Sequence, residues 1–171
     1  ALSRHATSKI NTIGDLTSIR SLGFRGEALA SIGSVSELTI KSKFVAAGET
    51  FEISSSYGEA TEVKPSQYLE GTLIEIKNLF QSIPARLKFL KTDRAEGISI
   101  LEVVKNLSLS NPEISFKLYE IKDAENPREI LRLEGSTDTN DRSQRIKEVL
   151  KNAFMENSHQ VNYQNEHIKI T

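Results

Sequence analysis

The chain alternates between apolar and polar positions in short stretches. In "ELTIKSKF" the alternation puts Leu38 and Ile40 on one side of a strand, and "TFEISSS" does the same with Phe51 and Ile53. The intervening "VAAGET" supplies a glycine turn, so the two stretches predict a hairpin. "EATEVK" suggests a further short strand, and "GTLIEIKNLF" predicts a clearer one, β-branched and apolar after a glycine. Before the hairpin, residues 26–33 predict a short helix with Ala28, Leu29 and Ile32 turned inward.

After these strands the period lengthens. Pro84 in "SIPARLKFLK" pre-sets a first helical turn, where its missing N–H costs nothing. "DRAEGISILEVVKNLSLS" predicts a long helix with Ile100, Val103, Val104 and Leu107 on one face. Asp93 and Glu96 have the spacing of a capping box, and Asn111-Pro112 ends the helix. "EISFKLYEI" alternates through Ile114, Phe116 and Leu118, and "REILRLE" reads as its antiparallel partner. "GSTDTND", residues 135–141, is small and polar, as a linker is. The stretch "RSQRIKEVLKNAFMEN" then predicts an amphipathic helix with Ile146, Val149, Leu150, Ala153 and Phe154 on one side, capped by Asp141 and Gln144. Each large apolar side chain gains roughly 1.5–3 kcal/mol on burial, so this helix must pack against something.

Composition narrows the classes. Hydrophobic residues make up 37% and charged residues 26% of 171, a soluble globular balance. A net charge of −1 confines any grip on nucleic acid to a local patch. With no cysteine, disulfides, thiol catalysis and cysteine-held zinc are all excluded. The apolar runs are too short to span a membrane. The chain starts at Ala1 with no apolar leader segment and closes on the alternating "HIKIT", which leads us to expect a piece of a longer protein.

The chemistry concentrates in "SLGFRGEALASIGSV", residues 21–35. Two glycines and an arginine stand just before a helix start. Helix N-termini leave amides without partners, glycines let a ligand approach the backbone, and Arg25 adds a planar fork of donors. Together these suit an anion, phosphate above all. A plain strand-to-helix turn, with glycines serving positive φ, is the alternative. Glu27 would repel phosphate, so it reads as a capping residue or as the partner of a nearby base. Neither the G-x-x-x-x-G-K-[ST] nor the G-x-G-x-x-G pattern occurs.

"RHATSKI", residues 4–10, brings Arg4, His5 and Lys9 together with the hydroxyls of Thr7 and Ser8. It reads either as a second phosphate-contacting stretch or as a solvated helix end. Thr72 opens a strand, the ordinary place for a β-branched residue. Arg86, Lys88 and Lys91 fall near one helical side, as a DNA-phosphate contact or as a solvated face. His5, His159 and His167 show no metal-ligand spacing and read as structural or solvated.

In this order, "RHATSKI", "GFRGEALASI", "GTLIEIKNLF" and "PARLKFLK" resemble the N-terminal region of the MutL family of DNA mismatch repair proteins. The likeness is specific from Arg4 to about Lys91 and looser beyond. It implies an α+β fold, an α/β sandwich. This would be part of the GHKL (Bergerat) ATPase fold, with a mixed sheet and helices on one face, followed by the start of a βαβ transducer domain. On that reading residues 1–134 are the C-terminal part of the ATPase domain, 135–141 a linker and 142–171 the opening of the transducer.

The resemblance also implies site residues. Gly23, Phe24, Arg25, Gly26, Glu27, Ala28 and Leu29 match the loop and helix start around the triphosphate of ATP. Thr7, Ser8 and Lys9 match the lid-side segment near the phosphates and Mg2+, and Thr72 matches a threonine on the base side of the pocket. Arg86, Lys88 and Lys91 are weaker DNA-binding candidates. No catalytic residue and no metal ligand is expected within 1–171. The general-base glutamate, the magnesium-holding asparagine and the Asp-x-Gly-x-Gly stretch belong upstream, and a γ-phosphate lysine belongs downstream. Residues 1–171 alone are therefore not expected to turn over ATP.

The family usually has two consecutive arginines where this chain has Arg86 followed by Leu87, which removes one candidate phosphate contact. The implied whole is an ATP-binding and hydrolysing switch in a bacterial cytoplasm, at the nucleoid during repair. It would link a MutS-type mismatch sensor to strand nicking and excision. It would bind double- and single-stranded DNA and dimerise through its N-terminal regions on ATP. Alternatives are a non-catalytic interaction module of the same fold, or another GHKL ATPase.

Overall fold

The computed structural model describes residues 1–10, 12–19, 23–46, 48–67, 70–136, 141–159, 161, 163–166 and 169–170, with side chains undescribed at 141 and 169–170. It forms two compact units, Ala1–Leu90 and Lys91–Thr171.

The first unit is built on a sheet. α1 (Ala28–Gly33) leads into β1 (Glu37–Lys43), β2 (Thr50–Ser56), the short β3 (Glu59–Ala60) and β4 (Lys64–Ser66), and β5 (Gly71–Lys77). The strand order is β3-β2-β1-β5, with β4 also on β2. β1 lies between β2 and β5, with Leu38 opposite Ser55 and Ile76, and Ile40 opposite Ile53 and Ile74. Every described pairing is antiparallel, whereas a mixed sheet is expected from the sequence. The β1–β2 and β2–β3 reversals are too short for parallel pairing, which needs a crossover of a dozen or more residues, whereas β1 and β5 pair antiparallel across the longer excursion through β2, β3 and β4.

Cross-strand register puts Leu38, Ile40, Ile53, Phe51, Ile74 and Ile76 on one face, as their alternation predicts. Burial on this face is deepest on the central strand, at Leu38 and Ile40 of β1. Leu38 is 1% exposed and packs beside Gly33, whereas Phe51 is 43% exposed and so is not the inward residue expected. In α1 the buried positions are Ala30 and Gly33. Ala28 is exposed and Leu29 and Ile32 are half-buried, because the face that meets β1 is the small one. The opposite sheet face is polar, with Glu52 held by Lys41 at 3.1 Å and Lys64 at 3.2 Å.

α2 (Pro84–Leu87) has Pro84 at its first position, as expected, but is only one turn long. The second unit holds α3 (Asp93–Ser110), β6 (Phe116–Glu120), β7 (Arg128–Leu133), α4 (Asp141–Glu156), β8 (Tyr163–Gln164) and β9 (Lys169–Ile170). β6 and β7 pair antiparallel, with Phe116 and Leu118 half-buried and Leu133 buried. The α3 cap lies one residue earlier than the sequence suggests. Thr92 Oγ1 accepts from the Ala95 N–H at 3.4 Å, and Glu96 Oε1 accepts from the Lys91 N–H at 2.9 Å.

The packed faces of both long helices match expectation only in part, at Val104 in α3 and at Ile146 and Val149 in α4. α3 turns Leu101, Val104 and Ser108 inward and leaves Ile100, Val103 and Leu107 exposed. α4 buries Arg145 and Val149 and leaves Leu150 and Phe154 exposed. The cause is Arg145 itself, which is 2% exposed. Its Nη1 donates to the carbonyls of Ser108 at 2.9 Å and Asn111 at 3.5 Å. Its Nη2 donates to those of Pro112 at 3.1 Å, Ile114 at 3.0 Å and Glu134 at 2.8 Å. One guanidinium thus satisfies the C-terminal end of α3, the following loop and the end of β7, which fixes the rotation of α4. Gly135 completes the fit, since a Cβ there would collide with the Glu113 carbonyl. The expected Asp141 cap and most of the expected linker, residues 137–140, lie outside the described residues. The described stretches on either side, up to Ser136 and from Arg145, belong to one unit.

Two outcomes follow for stability. Arg145→Ala removes the guanidinium's hydrogen bonds to five carbonyls, three of which keep a backbone N–H from Asn111, Ile114 or Ser136, and each acceptor left unmet costs roughly 1–3 kcal/mol. It should lower unfolding stability by about 3–5 kcal/mol in urea titrations, with Arg145→Lys recovering only part, because an ammonium lacks the planar fork. An Ala variant as stable as the parent would contradict this. Lys41 first, then Lys64, hold the Glu52 carboxyl below its ordinary 4.5. Its contribution is therefore present above that pH and lost as pH falls through the folded value. Glu52→Gln should flatten the loss of stability below about pH 4.5, measured by urea unfolding across that range.

Candidate functional site

Gly26 sits at φ +67°, a left-handed conformation that glycine adopts without penalty. A Cβ at this position would collide with the backbone carbonyl of Ala6. The turn before α1 therefore lies directly against the "RHATSKI" stretch, backbone to backbone. Next to this contact, His5 Nδ1 is 2.7 Å from Glu27 Oε1. On its other side the Lys9 ammonium reaches within 3.8 Å of where a Gly23 side chain would begin. The Lys9 N–H donates to Thr7 Oγ1 at 3.2 Å, which curls the segment back on itself.

Between these two segments lies an open cleft of about 480 Å³, lined by residues 6–9 on one side and 23–29 on the other, with Ala1 at its margin. Its lining combines cations and hydroxyls with the Glu27 carboxylate and apolar residues. Lys9 and Arg25 supply positive charge, Thr7 and Ser8 supply hydroxyls, and Arg25 is held 5.6 Å over the Phe24 ring. α1 takes its first backbone bond from Ser31 N–H to Glu27 O at 2.8 Å. The amides of Ala28 to Ala30 thus fall in the turn that a helix leaves without backbone partners. Gly33 seats the far end of α1 on Leu38 and Ser55, so the sheet fixes one wall of the cleft. Such a site can hold an anion with several oxygens. Among the described residues no three His, Asp or Glu side chains converge as a metal site would require.

The structure thus brings together ten of the residues singled out in the sequence, Thr7, Ser8 and Lys9 with Gly23 through Leu29. Thr72 is not among the lining residues. It stands on β5 with its hydroxyl 3.0 Å from that of Ser42. The basic residues near α2 do not share a helical face, because the helix ends at Leu87. Arg86 lies 5.8 Å over the Phe80 ring, Lys88 follows the helix as its cap, and Lys91 belongs to the second unit. His5, read as structural or solvated, is the partner of Glu27, and Glu27 pairs with a base as one reading of it expects. His167 lies outside the described residues. Ala6 was not singled out; the one hint was a glycine at 26 that needed a close neighbour.

Among the described residues no helix is long and apolar enough to cross a membrane. No family model matches the chain. It is 41% identical over 166 residues to the DNA mismatch repair protein MutL of Rickettsia typhi, covering 95% of this chain and 26% of that protein. It is 41% identical over all 171 residues to the MutL of Agrobacterium fabrum, covering 27% of that protein. The chain thus spans about a quarter of the length of these curated relatives. Among solved structures it is similar to the Aquifex aeolicus MutL ATPase domain complexed with ADP. The identity is 31% and the TM-score 0.64, over 82% of this chain and 52% of that one. The motifs, the α+β fold and these likenesses agree: the chain belongs to the MutL family of DNA mismatch repair proteins, with the fold of part of its GHKL ATPase domain.

Proposed function

We propose that the cleft between residues 6–9 and 23–29 cradles the phosphates of ATP, and that the intact protein is an ATP-driven switch in DNA mismatch repair. One observation carries this reading. Two motif stretches more than ten residues apart in sequence converge on one cleft that presents Lys9, Arg25 and a turn of helix-start amides. The ADP bound by the Aquifex relative supports a nucleotide as the anion.

In this reading the chain's residues bind and neutralise charge. Lys9 is a point charge for terminal phosphate oxygens, and Arg25 is a fork that matches two of them. Thr7 and Ser8 donate hydroxyl hydrogen bonds. Gly26 lets the Ala6 backbone approach and so holds the two walls of the cleft together. Thr72 serves the base side of a pocket completed by segments outside residues 1–171. Mg2+ would be held, and water activated, by the asparagine and the glutamate that the family resemblance puts upstream of these residues. Phosphoryl transfer depends on positioning and charge stabilisation, and this chain supplies the phosphate half of both.

Further roles rest on the same family reading. Residues 142–171 open the transducer domain after a linker at 135–141. Arg86, Lys88 and Lys91 add salt-sensitive contacts to DNA phosphates. ATP binding brings two copies together through this region and hydrolysis releases them. Mismatch detection by a MutS-type partner is relayed in this way to nicking and excision in the bacterial cytoplasm.

The test is an ADP titration of the full-length protein by calorimetry. Arg25→Ala should weaken affinity about 10-fold or more, the scale of one charge-assisted hydrogen bond. Gly26→Ala should weaken it at least as much, since the added methyl pushes the two segments apart. Unchanged affinity in both variants would refute the assignment.

A further inference from the structure

A carboxylate beside a phosphate cradle is a liability, and Glu27 lines the cleft. The structure gives it a partner. His5 Nδ1 approaches Glu27 Oε1 at 2.7 Å, from a residue at φ +61°. Few residues other than glycine adopt that conformation, and histidine is one of those enriched in it. The contacts flanking this pair follow an ordered pattern. His5 meets Glu27, Ala6 meets Gly26, and Lys9 reaches towards Gly23. Moving forward along one segment moves backward along the other, so the two stretches lie antiparallel in a fixed register. Shifting the first contact shifts the last.

We infer that His5 and Glu27 form a latch that sets this register and so positions Lys9 over the cleft. Glu27 is a positioning residue and no ligand of the anion. The latch rests on the reading of the cleft as a phosphate site. It assigns the acidic residue of the turn to holding the opposite wall in place. With its charge facing an imidazole, Glu27 leaves Lys9 and Arg25 to the ligand.

Two measurements on the full-length protein test it. One is the rate of tryptic cleavage after Lys9 without nucleotide, and the other is ADP affinity by calorimetry. His5→Ala and Glu27→Ala should each speed cleavage and weaken ADP binding roughly fivefold. The double variant should be no worse than either single, because one interaction is lost in all three. Glu27→Gln, which keeps an acceptor for the imidazole N–H, should restore both readouts towards the parent. In a Lys9→Ala background the latch substitutions should no longer change ADP affinity, an outcome that a merely structural role would not produce. Additive single effects, or a Glu27→Ala variant that binds ADP more tightly with unchanged cleavage, would overturn the latch. A parent protein that fails to bind ADP would sink the phosphate reading instead, while the cleavage rates still decide whether His5 and Glu27 are coupled.

Discussion

Everything proposed for the site depends on one close approach, the Gly26 backbone against the carbonyl of Ala6. No side chain fits between them, and the left-handed φ of Gly26 would strain any other residue. The contact turns two separate stretches into the walls of one cleft. Lys9 lies across from Gly23 and His5 across from Glu27 on either side of it, and Arg25 stands against Phe24. α1 carries this arrangement to the sheet, because Gly33 lets the helix settle onto Leu38 and Ser55. Two glycines seven residues apart thus tie the sheet's core to the site's geometry.

The second unit is organised by a different device with similar logic. Arg145 is a charge in a nearly dry position, which is costly unless its donors are all engaged. Five carbonyls meet its Nη1 and Nη2 groups, Nε faces the Glu148 carboxylate at 4.0 Å, and the Phe116 ring centre lies 5.8 Å from the guanidinium carbon. Those carbonyls come from the end of a helix, a loop and the end of a strand, places where backbone acceptors lack regular partners. α4 is therefore rotated to serve the arginine rather than to bury its widest apolar stripe. Further along, Lys151 at φ 71° and ψ 174° interrupts the helix, so the exposed Phe154 lies beyond a break.

Much of the fold was legible because it follows local rules. The β1–β2 hairpin, the Pro84 helix start, the α3 segment and the β6–β7 pair all appear where periodicity and turn residues put them. What held only in part was the choice of buried face. Of the stripe Ile100, Val103, Val104 and Leu107, Val104 alone is half-buried, and it lies beside half-buried Leu101 and buried Ser108. Phe51 shares a face with buried Leu38 but stands on β2, off the central strand where burial is deepest. Periodicity reports that a face exists and not what covers it. The site divides in the same way. The motif stretches could be read from the sequence, whereas the register between them could not, since it arises from a contact between residues twenty apart. Arg145 gave no signal at all, because a charged residue inside an amphipathic pattern reads as solvated until its carbonyl partners are seen.

The most direct measurement is a crystal structure of the full-length protein with ADP bound. We expect phosphate oxygens within about 2.7–3.2 Å of Lys9 Nζ and of backbone amides between Gly23 and Leu29, with Gly26 still seated on Ala6. A nucleotide bound elsewhere on the protein, with only solvent between residues 6–9 and 23–29, would contradict the assignment.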